Sequence, residues 1–179
     1  MTTIIISDIH LGSDVCQAKE LNEFLDNLIC TRLILNGDVF DSMDFRRLNK
    51  HHWQILSKLR KISDKMEVVW VIGNHDGPAE IISNLLGIKV VNEYQLLSGD
   101  KKILVLHGHI FDKFINNHPF LTWIGDTIYS FLQWIDPSHY VARMTKYSSK
   151  IYLRCAENIK KKAIKLAKLK KCDIICCGH

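Results

Sequence analysis

Eleven side chains able to bind a cation or move a proton fall in five short clusters along the chain. "SDIHLG" supplies Asp8 and His10, "NGDVFD" supplies Asp38 and Asp41, and "GNHD" supplies Asn74, His75 and Asp76. "HGHIFD" adds His107, His109 and Asp112, and the closing "GH" adds His179. Carboxylates and imidazoles without a thiolate suit Mn, Fe, Co or Zn better than Ca, or Mg alone. Asp8-x-His10, read as extended chain, would turn both side chains to one face, because strand side chains alternate. Glycines before Asp38, Asn74 and His179 would let the backbone turn sharply as it leaves each strand. Taken singly, every cluster has an ordinary reading. DxH arises by chance, GD and GNHD are turn sequences, and His107 would be a satisfied core histidine. What argues for one site is that all five follow apolar runs.

Those runs are short and rich in β-branched residues: 3–7, 32–36, 67–72, 89–91, 102–107 and 173–177. Between the first three lie segments 16–29 and 45–64 with helical spacing, marked by Leu21, Phe24, Leu25 and Leu28, then by Trp53, Leu56, Leu59 and Ile62. Strand–helix–strand alternation predicts βαβ units and an α/β core. In such sheets, sites form beyond the carboxyl ends of the strands. After Asp112 the style changes. Residues 113–171 show no strand; aromatic residues from Phe114 to Tyr147 precede a basic amphipathic helix with Leu153, Ala156, Ile159, Ala163, Leu166 and Ala167 as its stripe. They read as a helical insertion, either a cap over the site or an extra packed layer.

The chain has 179 residues, 47% of them apolar, which predicts one domain with a real core. Its net charge of +5 is local in origin, since 143–171 hold eleven Lys or Arg against Glu157 alone. That segment predicts an anionic partner, or else a solvated helix face. Six cysteines show no CxxC spacing; five of them lie in periodic helix or strand patterns and read as buried free thiols, which favours a reducing compartment. No secretory signal is expected. The apolar stretch 120–135 is cut by Gly125-Asp126 and falls short of the ~20 residues a membrane span needs. Neither a G-x-S-x-G elbow nor a Walker A loop is present.

The order DxH, GDxxD, GNHD, HGH, GH resembles the calcineurin-like metallophosphoesterases over almost the whole chain. The resemblance implies a layered β-sandwich flanked by helices, and two divalent ions, Mn first with Fe, Zn or Co as the other fitting metals. It implies that Asp8 and His10 hold one ion, that Asn74, His107 and His179 hold the other, and that Asp38 bridges both. His75 would stabilise the transition state or protonate the leaving oxygen. Asp41 and Asp76 would orient ligands, while His109 and Asp112 would contact substrate or serve structure. The insertion, about 113–171, resembles the UDP-2,3-diacylglucosamine pyrophosphohydrolase group of lipid A biosynthesis, although those enzymes have arginine where this chain has His75. That subgroup implies a lipid diphosphate substrate and peripheral attachment to the cytoplasmic face of an inner membrane through 143–171. A generic phosphodiesterase, nuclease or phosphatase is the alternative, and a non-catalytic scaffold a third reading. The family's fifth motif runs on to a second histidine, so the expectation is a chain cut short after His179, with the C-terminal strands missing and its first ion weakly held.

Overall fold

The computed structural model describes residues 2–111 and 150–179, with the backbone alone over 150–155. Asp112, the aromatic stretch and the side chain of Cys155 lie outside the described residues, as does the expected insertion up to residue 149. In chain order, β1 (Thr3–Ile6), α1 (Ala18–Asp26), β2 (Arg32–Asn36), α2 (Lys50–Ser63), β3 (Glu67–Val71), α3 (Ala79–Leu86) and β4 (Lys89–Val91) alternate. They are followed by β5 (Tyr94–Ser98), β6 (Lys101–Leu106), α4 (Lys150–Leu169) and β7 (Ile174–Cys177).

The first four strands form one parallel sheet in sequence order, and β5, β6 and β7 form a second, with an antiparallel β5–β6 pair and a parallel β6–β7 pair. Side-chain parity builds the layers. On β2, Leu33 and Leu35 join the core beneath the first three helices, with Ala18, Leu25, Ile55, Leu59 and Ile82. Ile34 points the other way, into a core shared with Val71, Leu96 and Val105 from both sheets. On β6 the same alternation sends Leu104 and Leu106 outward, against Phe111 and Ala163 of α4. The order is therefore helix, sheet, sheet, helix. The expected α/β layered sandwich forms, and over its described part α4 is a packed layer on the second sheet.

Register fixes where the strands end. Ile6 pairs with Leu35, Leu35 with Trp70, and Asn36 with Val71, so β1, β2 and β3 finish level. Leu106 pairs with Cys177, so β6 and β7 finish level too. Two elements were not apparent from the pattern: α3, and β5, whose "YQLLS" buries only Leu96. Segment 45–64 is not one helix. A 3-10 turn (Phe45–Arg47) comes first, and α2 then starts afresh, capped by Asn49. Leu56 and Leu59 are buried as expected, but Trp53 does not mark the inner face; it is exposed, and Ile55 is buried in its place. Among the described residues no helix is long and apolar enough to cross a membrane, and the described cysteines are free thiols.

Candidate metal centre

Loops after β1, β2, β3, β6 and β7 bring the sequence clusters to one place. The first two are zipped together: the Asp8 N–H donates to the Gly37 carbonyl, His10 N–H to Asp38 and Leu11 N–H to Val39, at 3.1, 2.9 and 2.7 Å. This geometry differs from the expected extended Asp8-x-His10. Asp8, His10 and Asp38 all have left-handed backbone, with φ of 57°, 52° and 51°. Non-glycine residues adopt that conformation rarely, Asp and His more readily than most. Such strain persists only where the surroundings enforce it, and it gathers at functional sites.

Asp38 is the hub. Its side chain is 3% exposed, and its Oδ1 accepts the His75 N–H at 2.9 Å. Its Oδ2 faces His107 Nε2 at 3.2 Å and His10 Nε2 at 4.0 Å. Burial raises the Asp38 pKa, but the facing His107 imidazole, with the His75 N–H, outweighs it and holds it at about 2. Burial lowers the His107 pKa and the neighbouring Asp38 carboxylate reverses this, for a net rise. The Asp41 carboxylate, and after burial's opposing effect Asp38, raise His10.

The donors fall into two trios that share Asp38: His10, Asp38 and His75, and Asp38, His107 and His179. His10 and His75 meet edge to face with ring centres 5.1 Å apart, and His107 and His179 at 5.2 Å. Asp8 belongs to neither trio. Its carboxylate accepts from the Ser7 hydroxyl and, at 3.4 Å, from the His179 N–H. Asn74 is exposed on the loop between Gly73 and His75. His109 lies 5.6 Å from His107, with Nδ1 buried and unpaired; burial, then His107 and His179, lower its pKa.

Supporting groups hold the loops. The Asp76 carboxylate accepts from the N–H groups of Asp38, Val39, Phe40 and Gly73 and from the Trp70 indole, all at 2.9–3.1 Å. The Asp41 carbonyl receives His75 Nδ1–H at 2.9 Å. Of the glycines expected to turn the chain, only Gly37 is left-handed, with φ of 81°. Gly73 is needed for a different reason: a Cβ there would run into the Asp38 carboxylate and backbone nitrogen.

The sequence profile of the calcineurin-like phosphoesterase family matches residues 1–179. The chain belongs to that family. No curated protein matches it significantly. Among solved structures it is similar to Yfce, a phosphoesterase from E. coli, at 26% identity over 63% of this chain and 60% of that one, TM-score 0.46. It is also similar to the nuclease MPE of Pseudomonas putida, at 25% identity over 59% and 53%, TM-score 0.45, and to the protein AQ665 of Aquifex aeolicus, at 17% over 59% of each, TM-score 0.45. The chain thus spans under two thirds of the length of these structures.

Family members generally bind two divalent ions, and the donors of this chain fit a cation. His107 is 1% exposed and commits Nδ1–H to the Asn36 carbonyl at 2.9 Å. Its Nε2 is buried without a hydrogen-bond partner, facing Asp38 Oδ2. Two buried lone pairs directed at each other are unfavourable unless a proton or cation stands with them. Sequence reasoning missed Arg47, which reaches Asp41 at 2.6 Å, and the Asn36 carbonyl. Nothing in the pattern separates Arg47 from its neighbour Arg46, and a backbone acceptor leaves no mark in a sequence.

Proposed function

We propose that this chain is a metal-dependent phosphoester hydrolase, and the observation that carries the reading is the sharing of one buried carboxylate, Asp38, by two trios of donors. In this reading Asp8 and His10 hold one ion, Asn74, His107 and His179 the other, and Asp38 both. Divalent ions held there, Mn before Fe, Zn or Co, supply Lewis acidity toward phosphoryl oxygens and an acidified water nucleophile.

The chain's own groups do the rest. The Asn36 carbonyl fixes the His107 tautomer so that Nε2 presents its lone pair. The Asp41 carbonyl holds His75 by Nδ1–H, so that in the imidazolium form Nε2–H is the proton given to the leaving oxygen, which leaves a neutral ring behind. Asp41 and Asp76 keep the ligand loops in place. The substrate we propose is a lipid diphosphate of the UDP-2,3-diacylglucosamine type, met at the cytoplasmic face of a membrane. Exposed Lys160, Lys161, Lys165 and Lys168 on α4 support an anionic surface as partner.

Asp38→Ala tests the reading. With Mn2+ present, hydrolysis of bis(p-nitrophenyl) phosphate and of UDP-2,3-diacylglucosamine should fall at least about a hundredfold, since loss of an outer-shell partner alone reaches that size. Near wild-type turnover by the variant would sink the assignment. Equal turnover of acylated and acyl-free UDP-sugar by the wild type would remove the lipid substrate and keep the hydrolase.

A further inference from the structure

Two arginines follow one another on the turn Phe45–Arg47, and they do different things. Arg46 is 90% exposed and closes on Asp44, with Nε and Nη2 at 2.7 and 2.8 Å from the carboxylate oxygens. Arg47 turns inward. Its Nη1 is 2.6 Å from Asp41 Oδ2 and 3.3 Å from the Ser42 hydroxyl. The other Asp41 oxygen, Oδ1, faces His10 Nδ1 at 3.5 Å, and His10 Nε2 faces Asp38. A continuous line therefore runs Arg47, Asp41, His10, Asp38.

The weak link is the middle one. His10 Nδ1 is buried without a hydrogen-bond partner, because 3.5 Å from Asp41 is long for such a bond. The direction of the imidazole then depends on where the Asp41 carboxylate is held. Asp41 is 22% exposed and would otherwise be free to choose among rotamers. Arg47 takes that freedom away, and its own turn is anchored: Phe45 packs on Phe40 and Trp53 with ring centres 5.4 and 6.5 Å apart, and Phe40 on Trp70 at 5.4 Å.

We infer that Arg47 is a positioning residue that acts through Asp41 to aim His10 Nε2 at the Asp38 side of the centre, an inference that rests on the hydrolase reading for its function but not for its geometry. Arg47 carries a positive charge, so it also repels a cation at that centre. Its guanidinium is 45% exposed and already paired with Asp41, so water and the carboxylate screen that repulsion, and orientation outweighs it.

The experiment compares wild type, Arg47→Ala, Arg47→Lys and, as control, Arg46→Ala, using Mn2+ alone in calorimetric titrations. Arg47→Ala should weaken one of the two Mn2+ steps about tenfold to a hundredfold while the other stays within about twofold, the range seen when an outer-shell partner of a metal ligand is lost. Arg47→Lys should recover part of the loss, because an ammonium holds the carboxylate as a point charge without a planar fork. Arg46→Ala should match wild type. In the metal-free protein, 15N spectra should show His10 losing a single Nδ1–H tautomer in Arg47→Ala.

Three results would overturn the inference: Mn2+ bound by Arg47→Ala as tightly as by wild type or more tightly; both steps weakened together with a lower metal-free Tm, which marks a fold role; or a raised KM with unchanged Mn2+ binding, which marks a direct phosphate contact. A wild type that binds no Mn2+ would defeat the hydrolase reading instead, and the His10 tautomer would still decide the role of Arg47.

Discussion

Asp76 hydrogen-bonds to no donor side chain of either trio, yet it holds the backbone that carries Asp38. One of its oxygens serves Val39 and Phe40 N–H, the other serves Asp38 and Gly73 N–H and the Trp70 indole. Asp76→Asn keeps the size but turns an NH2 toward one set of donors, stranding them. We expect a loss of roughly 2–3 kcal/mol in a denaturant titration of the metal-free protein. A loss no larger than that of an ordinary surface substitution would show that water replaces the carboxylate. Residue types at the site were legible in the sequence because ligation needs particular chemistry. Conformation was not. Asp8 and His10 were expected on an extended segment, and both are left-handed because their N–H groups are drawn to the β2 loop. That pull is a tertiary contact, invisible to local spacing.

At the scale of elements, α2 begins with an unusual version of the capping box. Asn49 accepts from the N–H groups of His51 and His52, and His52 Nδ1 accepts from the Asn49 N–H at 3.3 Å. Glutamate or glutamine usually fills the place of His52. The bond needs an unprotonated Nδ1, and His52 is 3% exposed. Burial, then the neighbouring His51, lowers its pKa. The sign follows. The unfolded chain takes up the proton below about 6.5 and the folded chain resists it, so this stability is present above that value and is lost as pH falls. His52→Gln keeps the acceptor without the titration. Its Tm should therefore gain on wild type progressively from pH 7 to pH 5, whereas a constant difference would exclude His52. The elements missed in the sequence, α3 and β5, are short and only half-buried, so their periodicity is faint. The strands β2, β3 and β6 were plain because burial on both faces makes a continuous apolar run.

The whole molecule places five loops at one end of two stacked sheets, and register alone makes that possible. At the other ends of these strands, Arg32 and Lys89 lie over the Tyr94 ring and Arg32 pairs with Glu67, a charged cluster at the starts of β2, β3 and β4. The basic residues concentrate in the last layer, where Lys162 also ties α4 to the Phe111 carbonyl at 2.6 Å. The α/β class followed from alternation alone. The second sheet did not, since one of its three strands was unrecognised and the pairing of β6 with β7 spans about seventy residues.

The Asp76 clamp has a consequence for motion. The amides of Asp38, Val39, Phe40 and Gly73 belong to two loops, yet one carboxylate shields all four from solvent. They should exchange with deuterium through a single shared opening, with matched protection that Asp76→Asn abolishes at all four together. Independent exchange rates at these amides would mean that the loops open separately. If they open as one, the centre has no half-formed state: the Asp38 bridge and the His75 loop are lost and regained in the same event.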